Sequence, residues 1–356
     1  MNAQPPEDTS GITSAAFQPP MLDLFWTFIC ERQRVWHKRK LECLPGPWTD
    51  DEILQRERFT NIYRELDPGT QYVINQVLEA DAPKPDKVFN TMLYRLIGRA
   101  ETHATLGFQA LATFDPEQMQ ARLQHIRDVE RKPPFTAAYM VSAYTSMGSR
   151  DKIVNVTRLF ARLHERFAGV YTQIEQSSSP ADIHHILAAQ DGFGNFLAYQ
   201  VLVDLLYPLK RYDGRPLLPF THDDWASAGP GAQRGVRMLL AEGVRADYLD
   251  VMRWLRWNQR SEFARLGLNF PYLRAEDGAE IEISLANIQN CLCEYHKYVK
   301  IRDGVGRGRR KFHTADGATQ ASASPKRNKR KKRRRALGGA ADAATTQLGL
   351  FDDTMQ

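Results

Sequence analysis

Cysteine is scarce: four residues in 356, too few for a disulfide scaffold and in keeping with a reducing cytoplasm. No apolar stretch approaches the roughly 18 residues that a membrane span needs, and residues 1–10 hold two acids and no base. Neither a secretory leader nor a membrane partner is expected. The chain lacks G-x-x-x-x-G-K-[ST], the loop that cradles a nucleoside triphosphate, and it lacks H-E-x-x-H, paired C-x-x-C and G-x-S-x-G. Alternating strand patterns and internal repeats are missing as well. Cys291, Cys293 and His296 share one stretch, but residues i and i+2 of a helix point about 200° apart, which suits core packing better than one ion. No metal and no cofactor are expected.

What is present is a globular composition, 42% apolar and 25% charged, with an uneven charge distribution behind its net +6. Residues 297–335 carry sixteen Lys/Arg against Asp303 and Asp316, a local +14. Residues 336–356 carry three Asp and no base, which leaves −5 for residues 1–296. Positive charge thus belongs to the tail, and so dense a tail seeks a polyanion.

Helical periodicity predicts elements over 21–40, 52–59, 70–77, 88–104, 116–131, 151–176, 181–189, 195–207, 232–242, 247–266 and 285–300, with a short hairpin near 272–283. Thr49 and Glu52 have the spacing of a capping box, and Thr70 that of a helix cap. The expected architecture is all-α over 21–313, between a disordered lead-in at 1–20 and a disordered basic tail at 314–356.

Five segments carry chemical meaning. The first reads FWTFICERQRVWHKRK, GPWTDDEIL and RERFTNIYRELDPGTQY between Phe25 and Tyr72. Its guanidinium groups suit bidentate phosphate contacts and its indoles suit base stacking; the competing reading is caps, core and surface ion pairs. The second is the glycine pair Gly229 and Gly231, between two helical stretches, as in a helix-hairpin-helix that offers backbone amides to DNA phosphate; a plain helix–helix connection fits the pattern as well. The third is LCEYHKY at 292–298, followed by glycines interleaved with Arg over 304–311.

The fourth is the block Lys326, Arg327, Lys329, Arg330, Lys331, Lys332, Arg333, Arg334 and Arg335, which suits sequence-independent, salt-sensitive DNA binding or a nuclear-import signal. The fifth is Gln347, Leu348, Gly349, Leu350 and Phe351, similar to peptides by which bacterial DNA enzymes dock on the sliding clamp.

In order along the chain, FWxFIxER, PWTxDxIL, RFTNxYRExD, TQY, GPGA and LCEYxKY resemble the α-glutamyl/putrescinyl-thymine pyrophosphorylase-like family. That family includes phage amino acid:DNA transferases and is related to the helical domain of 5-hydroxymethyl-deoxyuridine DNA kinases. The resemblance covers roughly residues 22–312. It implies a helix-hairpin-helix DNA-glycosylase-like fold and a role in thymidine hypermodification. There, an amino acid such as glycine, or an amine, replaces the phosphate or pyrophosphate of a phosphorylated 5-hydroxymethyluracil in DNA, which shields a viral genome from restriction.

On that reading the partners are the phosphorylated DNA, a free amino acid or polyamine, a separate DNA kinase and the sliding clamp. The setting is the DNA-associated cytoplasm of a bacterial or phage-infected cell. Arg32, Arg58 and Arg64 would hold the leaving phosphate together with Gly229 and Gly231, and Trp48 or Tyr72 would stack on an extruded base. Glu31, Asp50, Asp51 or Asp67 would take the amine's proton.

The chain departs from the pattern at His296, where Asp is expected, and at Pro68, where a base is expected. Gln233 stands where a lyase lysine would be, while Asp247 or Asp250 lies at about the distance of a glycosylase aspartate. Two rival readings therefore accompany the transferase: a glycosylase-like hydrolase removing a modified thymine, and a non-catalytic reader of modified DNA.

Overall fold

The computed structural model describes residues 11–137, 139 and 141–306, and these are mostly helical. Helix α1, Pro19–Lys40, starts with proline in its first turn and buries Leu22, Phe25, Trp26 and Ile29 at helical spacing. Its last turn, His37 to Lys40, sets basic side chains against the negative end of the helix dipole. The short α2, Glu52–Arg56, is capped by Asp51, whose carboxylate accepts from the amides of Ile53 and Leu54. The cap is thus two residues later than the capping-box spacing predicts: the Thr49 hydroxyl donates to Glu31 at 2.9 Å and accepts from the Asp51 amide at 3.2 Å, which turns the chain just before the helix. Helix α3, Pro68–Val73, runs into a π-helical turn, Ile74–Leu78.

The single helix expected over 88–104 is two: α4, Lys84–Ile97, and α5, Ala100–Leu106. Gly98 separates them with φ at 65°, a conformation that a side chain there would oppose. Next come α6, Pro116–Asp128, α7, Lys152–Glu175, α8, Pro180–Ala188, and α9, Gly194–Leu205. Asp115, Asp151 and Ser179 cap the first three of these. Helices α10, Pro230–Leu239, α11, Tyr248–Arg265, and α12, Leu285–Arg302, finish the body. A two-residue hairpin, β1 Leu273–Arg274 and β2 Glu280–Ile281, bridges α11 and α12.

Two helical groups share one continuous apolar core. In the first, α12 packs on α1, α2, α10 and α11, and Tyr295 meets Phe25 edge-on at 5.3 Å. In the second, α4 packs on α5, α7 and α9, and Phe89 meets Phe114, Phe160 and Phe167 edge-on. Burying each such ring contributes about 1.5–3 kcal/mol. Helices α10 and α12 approach to backbone contact, since a Cβ on Gly235 would lie 2.3 Å from the Leu292 carbonyl oxygen.

Residues 11–20 are ordered rather than a loose lead-in. Phe17 is buried, 4.4 Å from the Trp254 ring, and the Gln18 amide donates to the Leu239 carbonyl. Two buried apolar side chains, Ile12 and Phe17, outweigh the polar composition around them.

Candidate active site

A cleft of about 570 Å³ opens where the two helical groups meet. One wall is α1, through Arg32, Trp36, Arg39 and Lys40, and the segment 58–70 forms the floor. The opposite side brings Tyr94 and Arg95 from α4 with Phe196 and Gln200 from α9, while α12 contributes Gln289, Asn290, Cys293, Glu294 and Lys297. The floor is fastened to α12. Asn290 donates to the Thr60 hydroxyl and the Asn61 carbonyl, Lys297 donates to the Arg58 carbonyl at 2.8 Å, and Glu294 accepts from the Thr60 amide at 3.1 Å.

Arg32 is the most informative cation in this cleft. It is buried, 6% exposed, and its Nη2 donates to the Phe59 carbonyl and the Asn61 side chain at 2.9 and 3.2 Å. Its Nε is buried with no hydrogen-bond partner among the described residues. Burial lowers its pKa to about 10, with Glu294 and Asp67 opposing the shift and Arg39 and Arg58 adding to it. A desolvated guanidinium with an idle donor is costly unless an anion completes it. Arg64 is equally buried; it donates to the Gln200 side chain, and its amide bonds Asn287 at 3.0 Å. Arg58 stands exposed at the mouth. Two buried guanidinium groups and an exposed third in one lining suit a phosphate held by several donors.

Asp67 faces these cations. It sits at the N-cap position of α3, yet its side chain makes no capping hydrogen bond. Instead it accepts from Asn61 Nδ2 at 2.8 Å. Burial raises its pKa, against the lowering effects of Arg64, the Asn61 amide and Arg32. A carboxylate held above its ordinary range beside an anion seat is a competent proton acceptor.

The remaining sequence candidates go elsewhere. Glu31 pairs with Arg34 at 2.8 Å, Asp51 caps α2 and accepts from the Tyr298 hydroxyl at 2.5 Å, and Asp50 is exposed; none of the three lines the cleft. Trp48 donates to the Leu44 carbonyl at 2.7 Å beneath Arg39, outside the lining. Tyr72 lies behind Tyr94, stacked at 5.3 Å, with its hydroxyl 3.0 Å from His103 Nδ1. Tyr94 is therefore the aromatic face presented to the cleft, together with Trp36 and Phe196.

Gly229 and Gly231 also lie outside it. The preceding segment, 206–229, holds one 3-10 turn at Lys210–Tyr212 and is otherwise loop and turn, so the glycines open α10 and no α-helix leads directly into them. A Cβ on Gly231 would stand 2.9 Å from Cys293 Sγ, so this glycine serves helix packing. The basic block at 326–335 and the peptide at 347–351 lie outside the described residues.

Asn61, Glu294 and Lys297 complete the cleft from within segments that the sequence singles out, though without a role assigned to each, whereas Gln200 and Asn290 lie outside those segments. Glu294 and Lys297 carried a signal, since their spacing of three puts them on one helix face. Gln200 carried none, being an amide amid the apolar run of α9.

The family described as 5-hmdU DNA kinase, helical domain, matches residues 19–306. A 5-hmdU DNA kinase of Bacillus phage SP10 is 29% identical over 289 residues, which cover 78% of this chain and 44% of that relative. The chain thus spans less than half the length of the curated relative it matches. No solved structure matches it.

Proposed function

The chain belongs to the 5-hmdU DNA kinase helical-domain family, and from that premise we propose that it is an enzyme of thymidine hypermodification in phage DNA. Its substrate is a 5-phosphomethyl- or 5-pyrophosphomethyl-deoxyuridine, and it joins an amino acid or amine to the base methylene with loss of the phosphate. The observation that carries this reading is the pairing of buried, partly unsatisfied Arg32 with Asp67 in one cleft. The ammonium of the incoming amine gives a proton to Asp67. Its freed lone pair forms the C–N bond, and the C–O bond to phosphate breaks with both electrons on the departing oxygen. Arg32, Arg58 and Arg64 stabilise the charge on that oxygen, and the second ammonium proton passes to water. In this reading a DNA kinase supplies the phosphorylated base. The tail then tethers the enzyme to DNA and, through Gln347–Phe351, to the sliding clamp, where new genome copies appear and escape restriction once modified.

The glycosylase reading has less support. Asp247 caps α11 and Asp250 pairs with Arg253 at 3.5 Å, and neither lines the cleft. The test uses DNA in which 5-hydroxymethyluracil has been enzymatically phosphorylated, incubated with the protein and a pool of amino acids and polyamines. Digestion and mass spectrometry should reveal a nucleoside equal to thymidine plus one amine less two hydrogens. Release of a free base would move the protein to the hydrolases, and bound but unchanged DNA would make it a reader.

A further inference from the structure

Leaving α1, residues 41–48 form a loop whose apolar tip serves no core. Leu41 and Leu44 are 59% and 45% exposed, the two exposed leucines among the described residues. The loop is fastened rather than loose. The Leu41 and Glu42 amides donate to the His37 carbonyl, and the Leu44 amide donates to the Lys38 carbonyl at 2.9 Å. Lys38 Nζ donates to the Trp48 carbonyl at 2.9 Å, and Trp48 Nε1 returns to the Leu44 carbonyl. His37 Nδ1 and Glu42 lie 2.7 Å apart. These ties hold both leucines in water, where a free loop would fold them away.

Their position gives the exposure a use. Arg39 and Lys40, the residues immediately before Leu41, line the cleft, so the apolar tip adjoins its cationic wall. Positive charge beside a pinned apolar tip matches a partner that is anionic outside and apolar within, which describes the base stack of duplex DNA. The C5 methylene of a stacked base stands in the major groove, but enclosing it together with its ring in a cleft requires extruding the base, and that leaves a gap in the duplex.

We propose that the Leu41–Leu44 turn is the wedge that enters this gap and holds the target base in the cleft. The inference rests on the cleft being a DNA-base site. Arg39 and Lys40 bring the phosphates of the opened step to the rim, and the leucines replace the lost stacking.

The full-length Leu41→Ala/Leu44→Ala protein tests it, because neither side chain is needed by the core. The probe is a duplex with 2-aminopurine beside 5-phosphomethyluracil, and the same strand unpaired. The wild-type protein should brighten the duplex probe on binding, and the variant should lose most of that rise. Modification of the duplex should fall tenfold or more while the single strand stays within twofold of wild type, and Leu44→Phe should keep the duplex rate. An unchanged duplex rate and fluorescence, or a single-strand rate that falls in step, would overturn the wedge. Brightening by the wild-type protein without product on either strand would defeat the transferase reading and leave the wedge intact.

Discussion

Arg32 commits a buried fork to the Phe59 carbonyl and the Asn61 side chain, and it keeps its Nε in reserve. Lysine at this position retains charge but not the fork. Arg32→Lys should lower turnover on phosphorylated DNA roughly 100-fold, with duplex affinity, measured by fluorescence anisotropy, changing little because the exposed cations remain. Asp67 has the opposite economy, its charge being held against burial. Asp67→Asn should reduce turnover by about 10²–10⁴. A carboxyl whose folded pKa is raised adds stability at low pH and loses that contribution as pH rises through the folded value. Urea denaturation across the acid range should therefore show the Asn variant gaining on wild type as pH increases. Both residues drew attention as sequence because motifs crowd arginines and acids between Glu31 and Asp67. Which acid faces the cleft was not legible, because Glu31 and Asp51 find local partners that only the folded loop brings near.

Helices were the most readable feature, since caps such as Asp151 and Ser284 precede clear apolar periods. The break at Gly98 was not, because residues 86–97 are buried on every side and leave no stripe to follow. The contact of α10 with α12 sets a strict limit on side-chain size. Gly235→Ala should cost about 2–3 kcal/mol in urea unfolding, since it meets backbone at Leu292. Gly231→Ala should cost less, since its nearest neighbour is the Cys293 side chain. Helix α5 contributes a pH response. Burial pushes the His103 imidazole down to about 4, and its Nε2 has no partner among the described residues. The unfolded chain binds this proton near pH 6.5 and the folded chain does not. Stability is thus full at neutral pH and should fall by roughly 2 kcal/mol between pH 7 and pH 5. His103→Gln should remove that part of the slope.

Across the whole molecule, the pairing of distant segments was the least legible property. Asn287 meets Arg64 and Glu65, and Asn290 meets Thr60 and Asn61, contacts between segments more than two hundred residues apart that no local period encodes. The charge partition, by contrast, was plain, and it yields a prediction at this scale. Removing residues 326–335, nine of them basic, should flatten the dependence of DNA affinity on salt by several units of log–log slope. Removing 336–356 should leave activity on free DNA intact and abolish capture by the sliding clamp.

The long-range fastening of α12 also sets an order in time. Tyr295 donates to the Met21 carbonyl and Tyr298 to Asp51, so the first helices wait for the last to be made. At bacterial synthesis rates, roughly ten to fifty seconds separate the emergence of α1 from that of α12. Through that interval the nascent chain has Arg32, Asp67 and the α4–α9 side of the cleft, but not the helix that fastens its floor. A chain that stops before residue 285 therefore lacks the side chains that tie residues 58–61 in place, and the shape of the cleft is set only when the last helix has been made.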